Sequence, residues 1–139
     1  MILLDTNVLS ALMDEAPDRA VTEWLDRQPR DSVWITSVTL MEIRSGLLAM
    51  PVGRKRASLT QALGTLLNEQ IEGRIASFDI HAAEQAAALI ALRRLRGRPV
   101  DHRDTMIAGI ALATRAALVT RNTAHFEDLP VPVVNPWKT

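Results

Sequence analysis

Short aliphatic or β-branched runs alternate with long stretches of helical periodicity along this chain, and that alternation restricts the fold more than any other feature. Met1-Ile2-Leu3-Leu4, Val33-Trp34-Ile35-Thr36, Ile75-Ala76-Ser77-Phe78 and Leu118-Val119-Thr120 read as strands, with Val131 to Val134 as a short fifth. A helix is predicted from Asp5-Thr6-Asn7 to about Asp14, capped by Thr6 or Asn7, and a second opens at Pro17 and Asp18. Further helices are predicted from Val38 to about Met50, from Lys55 to Ile71, from His81 to Arg96 and from Arg103 to Ala116. Strands alternating with helices give a three-layer α/β/α sandwich around a largely parallel sheet. The 139 residues fit a single domain, residues 1–139, with no linker or internal repeat.

Composition excludes several classes of function. Formal net charge is zero, which argues against indiscriminate nucleic-acid binding through global charge. There is no cysteine, so thiolate metal sites and disulfides are not available, and a reducing cytoplasm is the expected location. Asp5 interrupts the apolar start, so no signal peptide is expected, and the apolar stretch from Met106 to Ala113 is too short to span a bilayer. Fourteen of the sixteen basic residues are arginine, whose planar fork suits bidentate contact with phosphate.

Asp5, Glu42, Asp104 and Asn122 each adjoin an apolar segment able to carry them to one edge of the sheet, where an open α/β fold gathers its functional groups. Carboxylates converging there repel one another unless a cation lies between them. With oxygen ligands and no paired histidine, that cation would be hard, Mg²⁺ or Mn²⁺. Each residue also has a structural reading. Asp5 could cap a helix, although Thr6 and Asn7 can do so instead. Thr39-Leu40-Met41-Glu42 fits a capping box, in which the glutamate serves a backbone amide. Asp101 is the better cap for the helix carrying Asp104, with a lesser outer-sphere role open to it, and Asn122 could be a turn residue. His81, His102 and His125 show no ligand spacing and read as surface or loop residues.

Four segments then point to a family. Leu3-Leu4-Asp5-Thr6-Asn7-Val8, Thr39-Leu40-Met41-Glu42-Ile43-Arg44-Ser45-Gly46, Asp104-Thr105-Met106-Ile107-Ala108 and Val119-Thr120-Arg121-Asn122 occur in the order found in PIN-domain ribonucleases, and the chain resembles the VapC-type toxins among them. The ending Asn135-Pro136-Trp137 is similar to the subgroup that includes FitB. The resemblance implies a magnesium-dependent endoribonuclease with Asp5, Glu42 and Asp104 as catalytic and metal-holding residues; Thr6, Asn122 and Asp101 are secondary polar candidates beside them. Some members carry a fourth aspartate where this chain has Asn122, which leaves one ion or two open. Arg44, Arg98, Arg103 and Arg121 are the candidate RNA contacts. The resemblance further implies a homodimer, a cognate antitoxin and, through it, operator DNA. Few aromatic residues are present and several are expected in the core, so recognition of a structured RNA's exposed loop by shape and backbone fits better than a base-stacking platform. Two readings compete. An aspartyl phosphatase is weakened by Asn7 in the position of a second aspartate. A PIN domain kept for binding alone draws on Asn122.

Overall fold

The computed structural model describes residues 1–138. Five short parallel strands, β1 (Ile2–Leu4), β2 (Val33–Thr36), β3 (Ile75–Ala76), β4 (Ala117–Val119) and β5 (Val133–Val134), stand in the order β3-β2-β1-β4-β5. Six helices connect them: α1 (Thr6–Leu12), α2 (Arg19–Asp26), α3 (Ser37–Ala49), α4 (Arg54–Thr65), α5 (Ile80–Leu95) and α6 (His102–Thr114). In register, Leu3 lies between Trp34 and Leu118, and Leu4 between Ile35 and Val119.

Alternation along each strand divides the core into two layers, because successive side chains leave a strand on opposite faces. Leu3, Ala76 and Leu118 pack against α5 and α6, together with Phe126 and Leu129. Leu4, Val33, Ile35 and Val119 pack on the other face with Val8, Val21, Trp24, Ile43 and Leu63 from α1 to α4. Helices on both faces of a parallel sheet make the expected three-layer sandwich. Among the described residues, no helix is long and apolar enough to cross a membrane.

Local structure departs from the sequence reading in three places. The first is the cap of α1, which is Asp5 and not Thr6 or Asn7. The second is the cap of α3: Thr36 holds that position and its hydroxyl accepts from the Thr39 amide at 3.0 Å, so Thr39 lies inside the helix and no capping box forms with Glu42. The third is the predicted helix to Ile71, whose last six residues, Leu66–Ile71, widen into a π-helical turn that ends at Glu72 in the left-handed region. Asp101 caps α6 as expected, accepting from the Asp104 amide at 3.0 Å.

The order of the strands decides where a site can form. From β1 the chain adds β2 and β3 on one side, then returns through α5 and α6 to place β4 on the other. That reversal opens a crevice beyond the carboxyl ends of β1 and β4. Asp5 is the first residue past β1, and its amide donates to the Val119 carbonyl at 2.8 Å.

Candidate active site

Asp5 is only 3% exposed. Its Oδ1 accepts from the Thr6 amide at 2.8 Å, and its Oδ2 accepts from the Thr120 hydroxyl at 2.7 Å and the Asn7 side-chain amide at 3.3 Å. Burial pushes this carboxyl above the usual carboxylate range, the Thr120 and Thr6 hydrogen bonds pull it down, and the negative charges of Asp104 and Glu42 push it up again. Three carboxylates, one just past β1 and the others on α3 and α6, therefore share one electrostatic neighbourhood.

Glu42 reaches that neighbourhood from α3. Its Oε1 accepts from the Thr6 hydroxyl at 2.7 Å, and that hydroxyl also lies 3.2 Å from the Thr39 Oγ1. Its Oε2 stands 3.5 Å from Nη1 of Arg103. The side chain thus faces the crevice and does not serve its own helix end. Asp104, in the first turn of α6, has its Oδ2 2.7 Å from Nδ1 of His125. His125 belongs to the short 3₁₀ turn Thr123–Phe126, so a residue expected at the surface with no role touches an acid of the site.

Two residues that sequence reasoning passed over complete the surroundings of Asp5. Thr120 is fully buried, and its Oγ1 also accepts from the Asn122 amide at 3.0 Å. Asn7 Oδ1 accepts from the Arg121 amide at 3.1 Å, locking β1 to the segment after β4. Asn122 itself is exposed, and its side chain makes no hydrogen bond among the described residues. The hydroxyl two positions earlier makes the contact with Asp5.

Behind Asp104 lies a buried ion pair. Arg93 grips Asp128 with two hydrogen bonds of 2.9 Å, their side chains 4% and 6% exposed. The same guanidinium donates to the His125 carbonyl at 2.9 Å and to the Thr105 hydroxyl at 3.4 Å. One arginine of α5 thereby fixes both the turn carrying His125 and the start of α6. A pocket of about 200 Å³ opens here, bordered by Arg98, Asp101, Asp104 and His125.

The four arginines expected at RNA fare differently. Arg103 faces Glu42, Arg98 lies 3.7 Å from Asp128, and Arg121 emerges beside Asn7. Arg44 is not brought to the site. It follows Glu42 by two residues, about 200° around the helix, and borders an apolar groove with Leu47, Leu48, Val52 and Arg56.

Among the described residues, no three acidic or imidazole side chains already form a closed set of ligands for one ion. The donors present still fit Mg²⁺, which keeps several of its waters and takes one or two carboxylates. Asp5 supplies a buried oxygen whose charge is opposed by its neighbours, the electrostatic condition that a cation relieves.

The sequence and fold have known relatives. The model of the PIN domain matches residues 2–131. The chain is 36% identical to the VapC ribonuclease Y4jK of Sinorhizobium fredii, over 99% of each chain. It is 32% identical to the toxin FitB of Neisseria gonorrhoeae, again over 99% of each. A solved structure of FitAB bound to an IR36 DNA fragment superposes with a TM-score of 0.89 at 31% identity, covering 100% of this chain and 97% of that one.

Proposed function

The chain belongs to the PIN-domain family, and from that premise we propose that it is a divalent-metal-dependent endoribonuclease, the toxin of a toxin–antitoxin pair. The observation that carries the proposal is the burial of Asp5 within reach of the charges of Asp104 and Glu42. Carboxylates gathered at one edge repel one another, and a divalent cation between them would offset that repulsion. Asp5 and Asp104 would hold Mg²⁺ or Mn²⁺, with Glu42 as a further ligand or as the base that orients the attacking water. Such an ion supplies charge neutralisation at the phosphate and lowers the pKa of water.

The remaining groups act through these three. Thr120, Asn7 and the Thr6 amide hold the Asp5 carboxylate in one orientation. The Thr6 hydroxyl fixes Glu42, and His125 fixes Asp104. Arg103, 62% exposed beside a Glu42 that is 20% exposed, is placed to exchange a carboxylate for a phosphate as RNA arrives. The relatives named VapC ribonuclease and toxin FitB support an RNA substrate and a toxin's role. The FitAB complex on DNA supports an antitoxin partner and, through it, operator DNA. A homodimer in the cytoplasm belongs to the same proposal.

A PIN domain kept for binding alone draws on one observation, the absence of a closed ligand set among the described residues. Incubating the purified chain with total cellular RNA, with and without Mg²⁺, separates the two readings. Discrete metal-dependent fragments are expected from the native chain and none from Asp5→Asn, with both variants showing the same circular dichroism. Equal cleavage by Asp5→Asn would sink the assignment, and no cleavage in any divalent metal would favour the binder.

A further inference from the structure

Arg121 and Trp137 leave the sheet together. β4 and β5 are parallel neighbours, so the segments after Val119 and Val134 emerge at the same edge. Arg121 follows β4 by two residues and Trp137 follows β5 by three. The Arg121 guanidinium carbon lies 4.8 Å from the centroid of the Trp137 ring, within the range of cation–π attraction. Trp137 is half-buried against the α1–α2 layer of the core, and its amide donates to Asn135 Oδ1 at 2.9 Å. The indole is therefore a fixed surface, and the guanidinium lies over it.

Two further observations give this stack a direction. The Arg121 amide donates to Asn7 Oδ1, and the Asn7 amide donates to Asp5 Oδ2, so the stack is joined to the acidic edge by two hydrogen bonds. Arg98 and Arg103 are each paired with carboxylates. The Arg121 side chain makes no hydrogen bond and no ion pair among the described residues, although it is exposed. Its exposed guanidinium is thus free to meet a ligand, while the indole beside it restricts its rotamers. A side chain held in its binding conformation gives up less entropy when a ligand arrives.

A planar cation of this kind, backed by an aromatic ring, accepts one class of nucleic-acid group well. Bases stack on arginine planes, and only an unpaired base has a face to offer. We propose that Arg121 and Trp137 form a stacking subsite for one unpaired base of the RNA, adjacent to the bond that is cut, with the guanidinium between indole and base. The subsite rests on the ribonuclease reading for its substrate, and it adds one base contact to the sequence-based expectation of recognition by shape and backbone. A continuous duplex keeps its base faces within its own stack and gains nothing from this surface.

The test measures binding apart from cleavage. The native chain in excess EDTA, where no strand is cut, is titrated into a fluorescein-labelled unstructured RNA decamer and, separately, into a blunt RNA duplex, each followed by anisotropy. Arg121→Lys and Trp137→Leu are expected to weaken binding of the decamer by roughly 5- to 100-fold, the range of one base stack. Duplex binding should change by less than about twofold, and Trp137→Phe should restore most of the affinity for the decamer. Because Arg121→Lys keeps its charge, the dependence of log affinity on log salt should keep its slope. Arg121 is exposed, so this variant decides the matter even if Trp137→Leu folds poorly. Decamer binding unaltered in Arg121→Lys, equal losses for decamer and duplex, or no decamer binding by the native chain would each overturn the subsite. Metal-dependent cleavage of total RNA alongside any of those results leaves the nuclease standing. Stack-dependent binding without cleavage in any divalent metal removes the nuclease and keeps the subsite.

Discussion

Asp5 caps a helix and is also the most buried carboxylate at the sheet's edge, and the two roles act on its proton in opposite directions. Glu42 has no such double duty, since Thr36 caps α3. Glu42→Gln should therefore leave the melting temperature within about 2 °C of the native value and reduce RNA cleavage by about 10²-fold or more. Retained cleavage would return Glu42 to a purely structural role. Asp5, Glu42 and Asp104 were legible in the sequence because each adjoins a strong apolar pattern. Thr120 and His125 were not, since a hydroxyl that meets Asp5 across 115 positions leaves no local trace. The Arg93–Asp128 pair was equally silent. Its hydrogen bonds to Arg93 hold the Asp128 carboxyl below the usual carboxylate range. A lowered folded-state value stabilises in full above the unfolded value near 3.8 and is lost as pH falls through the folded one. Asp128→Asn, which strands a buried guanidinium, should cost roughly 3–5 kcal/mol at neutral pH. In thermal melts against pH, the gap between variant and native chain should close below about pH 4; a gap that persists there would show the pair is not its source.

Among the elements, α5 and α6 share the most extensive contact. A methyl built on Gly109 of α6 would lie 2.5 Å from the Ala82 carbonyl oxygen and 2.9 Å from the Ala86 Cβ. Backbone cannot yield as a flexible side chain does, so Gly109→Ala should destabilise by about 1–3 kcal/mol, read as a lower urea midpoint with an unchanged slope. An unchanged midpoint would mean that the helices separate freely. The alanine-rich pattern of α5 announced a helix, but not the glycine it needed opposite it. Helix limits read from sequence fall within a few residues of those observed, because caps and prolines are local signals. Strands proved shorter than their apolar runs: Ser77 and Phe78 lie past β3, and Thr120 past β4. Hydropathy extends beyond the last ladder bond, so it overstates strand length. The widened turn at Leu66–Ile71 was invisible for a related reason, since apolar spacing does not register a one-residue change in hydrogen-bond pattern.

At the scale of the whole molecule, alternation of strands and helices was enough to give the layered fold, while the neighbour relations within the sheet had to come from structure. Any cation held between Asp5 and Asp104 bridges β1 and α6, and binding only the folded chain must raise its stability. At a concentration ten times its dissociation constant, Mn²⁺ should add about 1.4 kcal/mol, or roughly 4–6 °C in melting temperature. Asp104→Asn should abolish that shift, and a shift that survives would place the ion elsewhere. The order β3-β2-β1-β4-β5 has a consequence for biosynthesis. Asp5 leaves the ribosome 115 residues ahead of Thr120, whose hydroxyl orients it. A nascent chain still lacking β4 holds its acids without the hydroxyl that orients them, so the constellation can assemble only after that strand has been made.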